Sequence, residues 1–172
     1  PTTRGHLERI RRLSERIARE VKLQSLIIHS SDEVFHLAME DVSVASLAED
    51  LSDVTGPFAE GHGVRVQVSE VLSNRMVHTD RVVLLRVLTN MFKNAIEASE
   101  KGDMVRMSVE ECDDGVAFSV WNRQVIPEDV ARRVFQRHFS TKDGVGRGFG
   151  TYGMKLLGER ITRAYPGRSV VL

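Results

Sequence analysis

Phe139-Ser140-Thr141-Lys142-Asp143-Gly144-Val145-Gly146-Arg147-Gly148-Phe149-Gly150-Thr151-Tyr152-Gly153 places five glycines within ten residues, directly ahead of an amphipathic segment. Glycine admits positive φ and lets backbone N–H groups come close to an anion, while a following helix adds unpaired donors and the positive end of its dipole. The stretch therefore reads as a phosphate cradle at a helix N-terminus. Glycine-rich loops also act as plain hinges, so the weight of the reading falls on what surrounds it. Gly148 to Gly153 fit Gly-x-Gly-x-x-Gly, but no strand leads directly into them, which argues against a doubly wound dinucleotide fold. The chain has no Gly-x-x-x-x-Gly-Lys-Ser/Thr either, which excludes a P-loop.

Upstream of the loop, Pro127-Glu128-Asp129 opens a short helix expected to reach about Arg137, with proline in its first turn and acids at its positive end. Before it, Met104–Glu110 and Val116–Trp121 form an expected hairpin across Asp113-Asp114-Gly115. Thr79 or Asp80 caps a long helix to about Ser99 with Leu84, Val87, Leu88, Met91 and Ala95 on its core face. Val64–Val68 alternates as a strand, Met76–His78 is another short one, and Val44, Leu47, Leu51, Val54 and Phe58 mark a helix capped by Ser43 and stopped by Gly56-Pro57. Downstream, a helix from about Thr151 to Arg163 precedes a strand over Ser169–Leu172. Helices alternate with hairpins rather than single strands. The expected class is α+β: a two-layer sandwich whose mixed sheet is covered on one face by helices.

The 172 residues, 41% hydrophobic and 28% charged, suffice for one globular domain and a smaller appendage. Lys plus Arg balance Asp plus Glu at 24 each, so no overall field points to nucleic acid or an acidic membrane. A single cysteine, Cys112, excludes an internal disulfide framework and fits a reducing, cytoplasmic setting. No run approaches the ~18 apolar residues of a membrane span. From about Leu7 to His29, Leu7, Ile10, Leu13, Ile17, Val21 and Ile28 recur at helical spacing, giving one long helix with a narrow apolar seam. Such a helix cannot cover its own stripe, so homodimerisation through it, or a missing neighbour, is expected. The chain opens on Pro1, as a piece of a longer protein would, and any membrane segment is expected to lie in the parent. The expected division is 1–41 for this helix and a linker, and 42–172 for the main domain.

On the long central helix, Asn90, Asn94 and Glu97 stand at i, i+4 and i+7, one stripe expected roughly opposite the apolar face. Asparagine is a poor helix-interior residue, so two on one stripe point to work other than helix formation. Carboxamide oxygens are hard neutral ligands that suit Mg²⁺, which takes phosphate oxygens and waters for its remaining positions.

With these motifs in place, the chain resembles the ATP-binding domain of sensor histidine kinases, within the superfamily that includes gyrase, mismatch-repair and chaperone ATPases. Leu88–Ala98 looks like the family's N box, Phe135–Lys142 like its F box and the start of the ATP lid, and Gly146-Arg147-Gly148-Phe149-Gly150 like its second glycine box. The resemblance implies that Asn94 ligates Mg²⁺ on the ATP triphosphate with Asn90 in support. It further implies that Lys93, Arg137, Lys142 and Arg147 contact phosphate, Lys142 foremost, and that Gly146, Gly148 and Gly150 let the lid hinge while Thr151 opens the next helix. The γ-phosphoryl would pass to a histidine and then to the receiver domain of a response regulator.

Two features depart from the family. Where its Asp-x-Gly-x-Gly box reads the adenine amine, this chain has Trp121-Asn122-Arg123-Gln124-Val125-Ile126-Pro127. Asn122 is the candidate replacement, a neutral carboxamide acceptor in place of a charged one, and Trp121 is a candidate for core packing. None of His6, His29, His36, His62, His78 or His138 has the His-Glu/Asp and proline context of the phosphoacceptor, which is therefore expected upstream of Pro1. The alternatives are a non-catalytic phosphotransfer or scaffold protein with a degenerate nucleotide site, and a serine kinase of the anti-sigma type.

Overall fold

A computed structural model describes residues 37–68, 74–112, 115–136, 139, 150–164 and 169–171, together with Leu7, Arg11, Ser14 and Val21. The chain divides into two compact units, Pro1–His36 and Leu37–Leu172. In the first, the four described residues are helical, and Leu7 and Val21 are exposed; the rest of the expected seam lies outside the described residues.

The second unit opens with strand β1 (Glu40–Ser43), which the sequence reading did not anticipate. It runs antiparallel to β3 (Met76–Thr79), Glu40 facing Thr79 and Ser43 facing Met76. The unit therefore includes residues ahead of the boundary expected at Val42. Ser43 then caps helix α1 (Val44–His62), its hydroxyl accepting from the Ser46 amide at 3.4 Å. The helix continues through Pro57 instead of stopping there. Pro57 removes one amide donor from an exposed position, and the apolar pattern of Leu47, Leu51 and Ala59 keeps burying the same face on either side of it. Termination comes at Gly63, whose φ of 67° closes a Schellman motif: the Gly63 amide donates to Glu60 O at 3.0 Å and the Val64 amide to Ala59 O at 3.0 Å.

Helix α2 (Arg81–Ala98) is the spine. It packs against α1, against α4 (Gly150–Ala164) and against the sheet. Asp80 is its N-cap, 1% exposed: Oδ1 accepts from the Val82 and Val83 amides at 3.0 and 3.1 Å, and Oδ2 from the Ala38 amide at 2.9 Å. One carboxylate thus starts the spine and fastens the chain leading into β1. Arg81 then bridges to α1, donating to Ser46 Oγ at 2.9 Å and Asp50 Oδ2 at 2.7 Å. The buried face is Val83, Leu84, Val87, Leu88, Phe92, Ala95 and Ile96, so Phe92 and Ile96 do the work expected of Met91, which is only half-buried.

The main sheet has the order β2-β4-β5-β6, formed by Arg65–Val68, Met104–Cys112, Gly115–Trp121 and Ser169–Val171. β2 is parallel to β4, β4 antiparallel to β5, and β5 parallel to β6, so the sheet is mixed as expected. Val105, Met107 and Val109 on β4 and Val116 and Phe118 on β5 are at most 1% exposed, whereas the alternate Arg106, Glu110, Ser119 and Trp121 face solvent. Helices on one side and solvent on the other make the two-layer α+β sandwich. After β5, α3 (Glu128–Ala131) is shorter than the helix expected to Arg137; the chain goes on as single turns, with Arg133, Gln136 and Phe139 amides each donating three residues back.

Because Asp80 serves three amides from a buried position, Asp80→Ala is expected to cost about 2–3 kcal/mol, more than an ordinary surface cap. Urea unfolding followed by circular dichroism measures it.

Candidate functional site

Val83, Val87, Asn90, Asn94 and Glu97 follow one another at spacings of four and three along α2, and so share one line on the helix. The two valines are buried at 0% and 1%, and the two asparagines are half-buried. The asparagine stripe is therefore not opposite the apolar face, as the sequence pattern suggested; it prolongs one edge of that face. The face is broader than expected because α2 is covered by two helices and a sheet, which leaves only the side of residues such as Lys93 open. A core-facing line that turns from valine to amide in its last two turns sets polar groups at the margin of the hydrophobic core.

Lys93 leaves α2 about 100° around from Asn94. It is exposed, and its Nζ lies 5.7 Å from the centroid of the Phe58 ring on α1, which itself packs against His62 with 4.3 Å between ring centroids. Arg86, one turn before Asn90, is half-buried, and desolvation by burial lowers its pKa. It is a cation beside the stripe that the sequence reading passed over.

Asn122 follows the last residue of β5. Alternation along that strand puts Val116, Phe118 and Val120 on the helix-covered side, and Asn122, half-buried, falls in the same phase. Trp121 falls in the other phase, opposite Arg106, and is 56% exposed; it lies on the open sheet face and not in the core. Since α2 packs on β5, the helix bearing Asn90 and Asn94 and the strand leading to Asn122 meet on one side of the sheet.

Gly150 and Thr151 form the first turn of α4, Gly150 exposed and Thr151 half-buried. Among the described residues, nothing lies within 4 Å of where a Cβ on Gly150 would stand. Gly153, Leu157 and Ile161 bury one side of α4, the helix that packs against α2. The unpaired amides of a helix start suit an anion. Arg137, Lys142, Gly146, Arg147 and Gly148 lie outside the described residues. At the approach to them, the Arg133 guanidinium sits 4.5 Å over the Phe139 ring, and Arg132 pairs with Glu128.

These donor types suit a magnesium–triphosphate group: half-buried neutral amides on α2, a helix beginning at Gly150, and a further half-buried amide, Asn122, past the strand end. Among the described residues, no three His, Cys, Asp or Glu side chains are grouped to hold a metal ion.

Known proteins share this fold. Residues 79–169 match the family described as histidine kinase-, DNA gyrase B-, and HSP90-like ATPase. The sensor histidine kinase AruS of Pseudomonas aeruginosa is 29% identical over 147 residues, covering 74% of this chain but 14% of that protein, so the chain spans a small part of the relative it matches. Among solved structures, the nucleotide-free catalytic domain of histidine kinase ThkA superposes with a TM-score of 0.66 at 23% identity, covering 74% of this chain and 84% of that one. ThkA in complex with the response regulator protein TrrA gives 0.60 at 21% identity, covering 82% of this chain and 42% of that one. At these identities the structures establish a common fold.

Trp121 is the chain's only tryptophan. Its placement on the open sheet face predicts red-shifted emission and efficient quenching by acrylamide, whereas core packing would give blue-shifted, protected emission.

Proposed function

We propose, from the premise that this chain belongs to the histidine kinase-, DNA gyrase B- and HSP90-like ATPase family, that it is the ATP-binding catalytic domain of a two-component sensor histidine kinase. Its reaction is transfer of the γ-phosphoryl of Mg-ATP to a histidine carried elsewhere in the parent protein, and the phosphoryl group then moves to the receiver domain of a response regulator. The observation that carries the reading is the run of Val83, Val87, Asn90 and Asn94, where the buried line of the spine helix becomes a pair of amides.

Phosphoryl transfer asks little covalent chemistry of the protein, and the rate comes from positioning and charge stabilisation. Mg²⁺, when bound, neutralises the triphosphate and fixes its geometry. Asn94 is the residue to hold it, with Asn90 keeping the neighbouring position polar. The start of α4, with Gly150 and Thr151, offers backbone donors to phosphate, and the lack of a Cβ at Gly150 lets a phosphate approach. Asn122 presents a carboxamide to the base from the sheet side. Lys93, Arg137, Lys142 and Arg147 supply cations, Lys93 by swinging from its rest over Phe58. Gly146 and Gly148 give the lid its hinge. Homodimerisation through the N-terminal helix and a cytoplasmic setting complete the proposal.

Isothermal titration calorimetry tests it. The chain is expected to bind ATP with Mg²⁺ and at least about tenfold more weakly with chelator. Asn94→Ala is expected to abolish that difference without lowering the melting temperature, because a half-buried amide contributes little to packing. Absence of ATP binding, or a magnesium dependence unchanged in Asn94→Ala, would overturn the assignment.

A further inference from the structure

The turn that leaves the spine helix, Glu100–Asp103, is fastened from several sides. The Asp103 amide donates to Glu100 O at 3.0 Å and the Glu100 amide to Asp103 Oδ2 at 2.9 Å, closing the turn on itself. Gly102, at φ 94°, donates to Gly63 O at the end of α1 over 2.8 Å, and the Arg65 amide at the start of β2 donates to Asp103 O over 2.9 Å. The Arg65 guanidinium adds a bond to Gly102 O at 3.3 Å. One four-residue turn therefore joins the ends of α1 and α2 to the starts of β2 and β4.

Against this mount rests one more group. Gln124 Nε2 donates to Asp103 Oδ2 at 3.3 Å. Gln124 stands two residues past Asn122, in a segment whose next residues, Val125 and Ile126, are 89% and 58% exposed and supply no packing to hold it. The strand ladder fixes the segment up to Trp121, opposite Arg106. A carboxylate only accepts, so the Gln124 amide must turn its NH₂ toward Asp103. Its Oε1 is then buried with no hydrogen-bond partner among the described residues. An orphaned buried acceptor weakens a fold, so this amide is not there as an optimised stabilising contact.

We propose that Gln124, held by Asp103, is a positioning residue for base recognition: it ties the segment carrying Asn122 to the end of the helix carrying Asn90 and Asn94. The inference rests on the ATP-binding reading above and assigns a role that acts through Asn122, on the base and not on the phosphates. Glycines would let such a segment adopt a tight path by themselves; the side chains of Arg123, Gln124 and Val125 do not, and a tether from outside takes over.

The test separates base from phosphate. In the full chain, Gln124→Met keeps the volume, removes the tether and removes the orphaned acceptor. Affinities for Mg-ATP and for magnesium tripolyphosphate are read by displacement of a fluorescent ATP analogue, alongside the melting temperature without ligand. The expected result is Mg-ATP affinity reduced about fivefold or more, tripolyphosphate affinity unchanged, and a melting temperature unchanged or raised. Mg-ATP affinity unchanged, or both affinities falling together, overturns the proposal, as does a lowered melting temperature that accounts for the loss. If the unsubstituted chain binds neither ligand, the ATP-binding reading itself fails, a result distinct from failure of the tether.

Discussion

Helix α2 has to be covered along nearly its whole length, and the last turns of one covered edge carry amides instead of hydrocarbon. Everything else in the second unit is arranged around that constraint. α1 and α4 pack on the helix, the inner residues of β4 and β5 lie beneath it, and Asp80 and Arg81 fix its start against β1 and α1. A helix held this firmly can present polar groups at the border of the core, because the cost of half-burying an amide is set against a position that does not have to be bought by any further ordering. The rigid element supplies geometry.

The same economy of anchoring recurs at the far end of the helix. The Glu100–Asp103 turn donates to Gly63 O through the Gly102 amide and accepts from Arg65 and Gln124, so the helix is pinned by a carboxylate at each end, Asp80 at the start and Asp103 just past the finish. Both acids accept from donors distant in sequence, and both sit where a plain cap or turn residue would have satisfied local geometry alone. Asp103 ties the turn after the helix to Gln124, two residues past Asn122.

Much of this architecture was legible in the residues. Alternation marked β2, the Asp113-Asp114-Gly115 turn signal marked the β4–β5 hairpin, Ser43 and Asp80 stood where caps are needed, and the spacing of Asn90, Asn94 and Glu97 marked the stripe. The failures have physical causes. Pro57 reads as a stop because proline lacks a donor, yet at an exposed position with the apolar face intact beyond it the helix runs on to a Schellman glycine. β1 is four residues with two exposed, held by pairing to β3 and by the Ala38 bond to Asp80, neither of which leaves a periodic trace. Trp121 was ambiguous because one step along a strand exchanges the two faces, and only the register against Arg106 fixes its side. Asp103 and Gln124 were invisible as a pair because nothing in a turn and a loop 21 residues apart announces that they meet.

The central claim, that the amides of α2 face a metal-bound triphosphate, is reached most directly by paramagnetic broadening. With Mn²⁺ in place of Mg²⁺ and ATP present, the side-chain amide resonances of Asn94 and Asn90 should broaden first and most strongly in ¹⁵N-labelled protein, and the indole of Trp121 on the outer sheet face later. Removal of ATP should abolish the selectivity. Asparagine resonances of α2 that stay sharp while others broaden would place the metal elsewhere and contradict the account.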